Sequence, residues 1–344
     1  MIADHRQGIA CGGNWIMDLV KVVDFYPPES ALANILWESQ GGGGCAHNVT
    51  LNLAKFDASL DIYALGVIGN DPYGDTLLAG CCQYPNIHTD QLHRTGHDRT
   101  SYTDVFNVQS TGRRTFFHYR GANRLFAPCF VDLDRLPVRL FHLGYLLLLD
   151  AMDQADPQFK TVAARFLHEV QKRGIQTSID LVSEDSDRFS RIVPASLKYT
   201  NYCIINDFEA ERISSMPIRR GSVILIENLR RIGQALFAYG VNDLVVIHFP
   251  EGAYLMTTNG TEIIQPSLDL PETYIVGSTG AGDSFCAGML YGLYEHWPLD
   301  EALRFATCAG GMNLSDLTTV GAIRSWQEVL EMQRRFPFRK DVTH

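Results

Sequence analysis

Short apolar runs bounded by Gly, Pro, Asn or Asp alternate with amphipathic stretches along most of the chain. Strands covered on both faces read as nearly continuous apolar runs, and the helices crossing between them read as stripes of period 3.6. The alternation therefore predicts repeated β-α units around a mainly parallel sheet. Asp61 to Val67 predicts a strand followed by a helix over Tyr73 to Cys81, and Leu140 to Leu147 a strand followed by a helix over Pro157 to Lys172. Ile175 to Leu181, Tyr202 to Ile205 and Asp243 to His248 predict further strands, and Ser222 to Tyr239 a helix with its apolar residues at helical spacing. Asn259-Gly260 lies between the alternating runs Ala253 to Met256 and Glu262 to Ile264. Such a pair predicts a hairpin, because tight turns need residues that tolerate positive φ.

Two regions, 14–40 and 99–121, break the alternation and carry no helical stripe. Within the second, Ser101 to Val108 and Thr115 to Tyr119 flank Ser110-Thr111-Gly112 as strand, turn, strand. The two regions are expected to form a small sheet of their own, leaving 1–13, 41–98 and 122–344 as an α/β core. A small sheet beside such a core is suited to close over a ligand and exclude water. An extension of the main sheet's edge is the alternative.

Composition narrows the partners. The 344 residues are 46% hydrophobic and carry a net charge of −10, which fits a globular domain and argues against a nucleic-acid groove. The basic pairs Arg219-Arg220, Arg230-Arg231 and Arg334-Arg335 read as solvated surface. The eight cysteines show no C-x-x-C spacing and read as reduced, mostly buried thiols rather than as disulfides or a zinc site. The eleven histidines form no H-x-x-x-H or H-E-x-x-H set, so His47, His118 and His248 read as structural. The N-terminal stretch lacks an apolar signal region, and Tyr145 to Leu149 is far too short to span a bilayer. A cytoplasmic protein with no membrane partner is expected.

The chemistry concentrates in Val276-Gly-Ser-Thr-Gly-Ala-Gly-Asp-Ser-Phe-Cys-Ala-Gly288, small residues immediately before a helical stripe of Phe285, Met289 and Leu293. Gly280, Ala281 and Gly282 leave their N–H groups open to an approaching anion at a helix N-terminus. Asp283, one residue further, is placed to take the proton of a hydroxyl that attacks a phosphoryl group. A glycine-rich turn capped by Asp283 is the purely structural reading. The chain has no G-x-x-x-x-G-K-S/T, and a G-x-G-x-x-G would need Gly where Phe285 stands. It also lacks the H-R-D and D-F-G pair of protein kinases.

Gly280-Ala281-Gly282-Asp283 resembles the core of the C-terminal signature of the PfkB carbohydrate kinases, a ribokinase-like family in which that signature reads roughly D-T-x-G-A-G-D. The resemblance implies that Asp283 is the catalytic base and that the 280–282 amides form the anion hole. Gly277-Ser278 replace the family's Asp-Thr, whose Asp belongs to a monovalent-cation site in potassium-activated members, so a K+ requirement is left open. Other landmarks follow in the family's order. Gly43, Gly44 and Asn48 match its N-terminal G-G-x-x-x-N, and Asp18 ends a G-x-x-x-x-D; the resemblance gives both sets to the substrate, through close backbone approach and charge-assisted hydrogen bonds. Gly66 to Asp75 resembles a family turn and reads as a helix cap. Asn206 and Glu209 match N-x-x-E, which implies Mg2+ and phosphate positioning, the metal being held through its waters. Tyr119-Arg120-Gly-Ala-Asn123 resembles a substrate-contacting stretch, which implies Arg120 reading an anionic group and Asn123 binding substrate; a surface arginine is the alternative for Arg120. Gly252, and Thr307 to Asn313 on a late helix, fall where the family flanks the nucleotide.

The resemblance thus implies a three-layer α/β/α sandwich of ribokinase type, with a mainly parallel sheet and a small β-sheet lid, binding ATP and Mg2+ and phosphorylating a hydroxyl of a sugar or sugar-like molecule. A homodimer through the lid is expected on the same ground. A nucleoside kinase on the same scaffold is the alternative, with Trp15, Phe25 and Phe117 available to stack on a base. A sugar or nucleotide sensor without turnover is the reading from a different class.

Overall fold

A computed structural model describes residues 7–184 and 186–342; the first six residues of the 1–13 segment lie outside the described residues. The strands are β1 (Ile9–Gly13), β2 (Ile16–Val23), β3 (Ile35–Gly43), β4 (Ile62–Gly69), β5 (Ile87–Thr95), β6 (Ser101–Val108), β7 (Arg114–Tyr119), β8 (Leu140–Leu146), β9 (Gln176–Leu181), β10 (Tyr202–Asn206), β11 (Leu244–Phe249), β12 (Gly252–Thr257) and β13 (Glu262–Pro266). The principal helices are α1 (Cys45–Phe56), α2 (Pro72–Cys81), α3 (Val162–Lys172), α4 (Arg188–Leu197), α5 (Asp207–Ser214), α6 (Ile226–Tyr239), α7 (Ala281–Tyr294) and α8 (Leu299–Asn313).

Nine strands form one sheet in the order β13-β12-β11-β10-β9-β8-β1-β4-β5. Pairing is parallel from β11 through β5 and antiparallel at the β11-β12-β13 edge. The central strand β1 is buried along its whole length, as its unbroken apolar run requires. One face of the sheet packs on α1, α7 and α8 through residues such as Val49, Leu53, Met289 and Phe305. The other packs on α3 to α6 through Phe166, Leu167, Ile192, Ile213, Leu229 and Leu236. No helix of the described residues is long and apolar enough to cross a membrane.

The second sheet has four strands in the order β3-β2-β6-β7, so the two regions without helical stripes do form a sheet separate from the main one. It is mixed: β2 pairs in parallel with β6 and antiparallel with β3. Strand β3 runs on to Gly43, three residues past the end suggested by the pattern.

Two predicted helices start late for a local reason. Pro157 lies between short paired strands, Ala155–Asp156 and Lys160–Thr161. The Asp156 carboxylate accepts from the Gln158 and Phe159 amides at 3.0 and 2.9 Å, a turn that competes with helix formation. Helix α3 begins only after Thr161, whose hydroxyl accepts from the Ala164 amide at 3.1 Å. Likewise Val223–Ile224 pairs with Arg219–Arg220, which delays α6 to Ile226.

From β1 the chain adds β4 and β5 on one side, then β8, β9, β10 and β11 on the other. The sheet therefore changes direction between β1 and β8, and ligands of open α/β sheets bind beyond the carboxyl ends of the strands at such a point. Asn14 holds this crevice together. Its amide donates to the Gly144 carbonyl at 2.9 Å, and its side-chain oxygen accepts from the Tyr145 amide at 2.5 Å.

Candidate active site

Helix α7 points its N-terminus into the crevice. Its cap is Gly280, at φ 82° and without a side-chain partner, so the first-turn amides have no protein acceptor supplied by a cap. Glycine is required there: a Cβ would lie 2.4 Å from the Thr319 carbonyl oxygen. Asp283 follows in the first turn, 6% exposed. Its Oδ2 accepts from the Asn48 amide at 2.7 Å and its Oδ1 from the Tyr145 hydroxyl at 2.7 Å. Burial raises the Asp283 pKa, and these two donors partly offset the rise by stabilising the charged form.

Three further acids surround it. Asp18, on β2, lines the cavity, and burial together with the Asp283 charge pushes its pKa up to about 7. No donor among the described residues bonds its carboxylate, and Gly43 on the neighbouring strand makes room for it: a Cβ on Gly43 would lie 2.1 Å from Asp18 Oδ2. Asp180, at the end of β9, is buried and its pKa is raised well above the usual range by desolvation and by Glu209 and Asp283. Glu209, 2% exposed, rises to about 7 through burial. Its Oε1 accepts from Ser183 at 2.9 Å and from the Asn206 side chain at 2.8 Å, and its Oε2 from the Asn206 amide at 3.0 Å. The Asn206 side chain in turn accepts from the Glu209 amide at 2.9 Å, closing a capping box at the start of α5.

These residues border a cavity of about 590 Å³, lined among others by Asp18, Gly44, Asn48, Arg114, Tyr145 and Asp283. A second cavity of about 370 Å³ lies on the other side of the α7 N-terminus, walled by Gly252, Leu268, Phe285, Thr307, Gly310 and Leu314. Asn206, His248, Ser278 and Gly282 line both, so the two spaces meet at the start of α7. One is polar and acid-rich, the other a mainly apolar slot between the β11-β12 edge and α8.

Most of the residues expected from the sequence converge here: Asp283, Gly280, Asp18, Gly44, Asn48, Arg120 and Glu209 line the first cavity, Ala281, Gly252 and Thr307 the second, and Asn206 and Gly282 both. Gly43 acts from behind Asp18. Two of the expected residues and one stacking candidate are internal instead, and Arg120 is held within its own chain. Asn123 is buried away from both cavities and spends its amide on the Trp15 backbone, accepting from its N–H and donating to its carbonyl at 3.1 Å each. Asn313 is likewise internal and donates to the Thr279 carbonyl at 2.8 Å, which fixes the loop before α7. Trp15 is fully buried with its indole N–H on the Leu65 carbonyl at 2.9 Å, so it offers no stacking face. Arg120 reaches the cavity wall but is engaged by its own chain, donating to Asp150 at 2.6 Å and to the Leu147 carbonyl at 3.0 Å.

Three residues escaped the sequence reading. Tyr145 and Asp180 are isolated side chains at strand ends with no spacing signature. Arg114, on the second sheet, donates to the Thr279 hydroxyl at 2.5 Å and carries no carboxylate partner among the described residues. Only its position in the helix-free insert pointed to the cleft.

The same chain matches the profile described as pfkB family carbohydrate kinase over residues 6–325. The chain belongs to the pfkB family of carbohydrate kinases. This kinase is 22% identical over 310 residues to a ribokinase of Schizosaccharomyces pombe, covering 88% of this chain and 89% of that protein. It is 24% identical to the ribokinase of Arabidopsis thaliana, covering 95% and 81%. Its fold resembles that of Arabidopsis thaliana ribokinase complexed with ribose and ATP, with a TM-score of 0.77 at 19% identity, covering 95% of this chain and 98% of that one. It also resembles a fructokinase with bound ATP from Xylella fastidiosa, with a TM-score of 0.74 at 21% identity, covering 96% and 99%. The fold is thus that of the ribokinases.

Proposed function

We propose that the kinase transfers the γ-phosphoryl group of ATP to a hydroxyl of a sugar or sugar-like molecule, with Asp283 as general base. One observation carries this reading: Asp283 sits where the two cavities meet, in the first turn of a helix whose glycine cap supplies no side-chain acceptor to its amides. An acceptor in the acid-rich cavity would place its hydroxyl on the Asp283 carboxylate, and Asp18 supplies an acceptor with no protein donor for the neighbouring hydroxyls. The amides at Gly280, Ala281 and Gly282 would meet the negative charge that spreads over the transferring group. Asn48 and Tyr145 hold the carboxylate in one orientation, which preserves alignment for the proton transfer.

The slot walled by Leu268, Phe285 and Leu314 fits the apolar faces of a purine, and Asn206 and Gly282 at its inner end are positioned for phosphates. The residues also fit Mg2+. Glu209 and Asp283 are buried acids without an ion-pairing cation among the described residues, and a divalent cation between them would neutralise their charge. Three of about four acceptor positions on Glu209 are filled by Ser183 and Asn206, so this carboxylate would contact the metal through bound water. When bound, the ion supplies charge neutralisation between phosphates.

Ile35, Leu36, Trp37, Phe116 and Phe117 leave large apolar side chains on the second sheet exposed. They support pairing of two such sheets in a homodimer, with the sheet acting as a lid. Phe116 lines the acid-rich cavity, which keeps a nucleoside acceptor as a second reading. ATP consumption against ketoses, aldoses, sugar acids, polyols and nucleosides decides between them, with Asp283→Asn as control. A loss of about 10²–10⁴-fold is expected in the control. Turnover unchanged in Asp283→Asn would overturn the mechanism, and phosphorylation of nucleosides but no free sugar would overturn the sugar reading.

A further inference from the structure

Behind the acid-rich cavity, three elements bring a thiol, an imidazole and a carboxylate together. Cys45 opens α1, His142 is in the middle of β8 and Asp180 is near the end of β9; all three are buried. Their donor atoms lie within 4.8 Å of one another. Cys45 Sγ is 3.1 Å from His142 Nε2 and 3.5 Å from Asp180 Oδ2. With metal–sulfur bonds near about 2.3 Å and metal–nitrogen or metal–oxygen bonds near about 2.0 Å, tetrahedral donors lie about 3.5 Å apart. The two sulfur separations, 3.1 and 3.5 Å, lie just below and at that value.

We propose that Cys45, His142 and Asp180 form a site for a thiophilic divalent cation of the zinc type, separate from the oxygen-lined site for Mg2+. Three further features argue for it. The His142 Nδ1 is paired with Ser178 Oγ at 3.1 Å, the outer contact that orients a ligating imidazole and leaves Nε2 facing Cys45. Asp180 has no ion-pairing cation among the described residues, although an unpaired buried carboxylate is costly. A divalent ion held by one thiolate, one carboxylate and one neutral imidazole makes the buried cluster electrically neutral. Binding releases the Cys45 thiol proton, and the Asp180 proton where that carboxyl is protonated.

Asp180 also lines the acid-rich cavity, which gives the ion an entry path. The fourth position is left for water or for Cys286, whose Sγ is 3.9 Å from His142 Nε2. The ion would tie together the three elements that carry Asn48, Tyr145 and Asp180. The inference does not depend on the kinase reading.

Cd2+ titrated into the purified full-length protein in excess Mg2+ tests it, because Mg2+ fills oxygen sites and leaves thiolate sites open. The expected result is one bound Cd2+ per chain with an ultraviolet sulfur-to-cadmium charge-transfer band, and an X-ray absorption shell containing sulfur. Cys45→Ser and His142→Gln should abolish or weaken binding by at least about tenfold. Cys82→Ser and Cys129→Ser, which remove exposed thiols, should leave it intact. An oxygen-only shell or no band in the folded wild-type protein overturns the proposal even if a core variant fails to fold. So does a band lost with Cys82 or Cys129 and kept without Cys45.

Discussion

Tyr145 donates its hydroxyl to Asp283 Oδ1 across 2.7 Å, so a strand-end phenol on β8 steadies the carboxylate at the start of α7. A donor to the ionised form lowers a carboxyl pKa, here against the rise imposed by burial. Tyr145→Phe removes that donor and should raise the Asp283 pKa further. A carboxylate in the proposed role of base is active only when ionised, so the acid limb of the rate profile moves to higher pH. A hydrogen bond to a charge is worth about 1.5–3 kcal/mol, which sets the shift at about 1–2 pH units. A kcat profile between weakly acid and weakly alkaline pH checks this; a lower rate with an unmoved limb would assign Tyr145 to substrate contact instead.

Gly43 has a role that only its neighbour reveals. Its added methyl would meet the Asp18 carboxylate at 2.1 Å, so Gly43→Ala should push Asp18 off the cavity wall. Loss of one charge-assisted contact to the acceptor would raise the acceptor KM about 10–100-fold. The KM for ATP should stay within about twofold, since the slot proposed for the nucleotide shares neither residue. Steady-state kinetics with each substrate varied in turn separates the two.

Asp18 also links stability to pH. Its folded pKa of about 7 is above the unfolded value of an aspartate, so its contribution is fully present below the unfolded pKa and is lost as pH rises through about 7. Asp18→Asn removes this dependence. The melting temperature of the variant relative to wild type should therefore rise from about pH 5 to about pH 7 and level off above. Taking the difference cancels the buried histidines, His47, His142 and His248, whose depressed pKa values act with the opposite sign over the same range. Thermal unfolding without substrate at several pH values measures it.

The legible part of this site was the contiguous part. Gly280 to Asp283, Asn206 with Glu209, and Gly43 to Asn48 each encode a turn and the helix it opens, so local spacing carried both the structure and the chemistry. His142 and Tyr145 lie on β8 and Asp180 on β9, and only the parallel register of the two strands brings Asp180 beside them. Asn123 and Arg120 show the converse. Their residue types suit a polyol or an anion, but the backbone of Trp15 and the carboxylate of Asp150 take them first. Which partner a polar side chain finds is a tertiary fact, and no local pattern encodes it.

Glu209 combines two roles that substitution can separate. Its Oε2 accepts from the Asn206 amide as part of the capping box, while its charge faces the cleft beside Asp180. Glu209→Gln keeps an acceptor for the cap and removes the charge, whereas Glu209→Ala removes both. The Gln variant should therefore raise the Mg2+ concentration needed for half-maximal rate, with α5 still capped. The Ala variant should add a loss of stability of about 1 kcal/mol, the usual worth of a cap. Mg2+ titrations at fixed ATP, paired with denaturant unfolding, distinguish them. An unchanged Mg2+ requirement in both variants would leave Glu209 as a helix cap alone and move the metal to other oxygens.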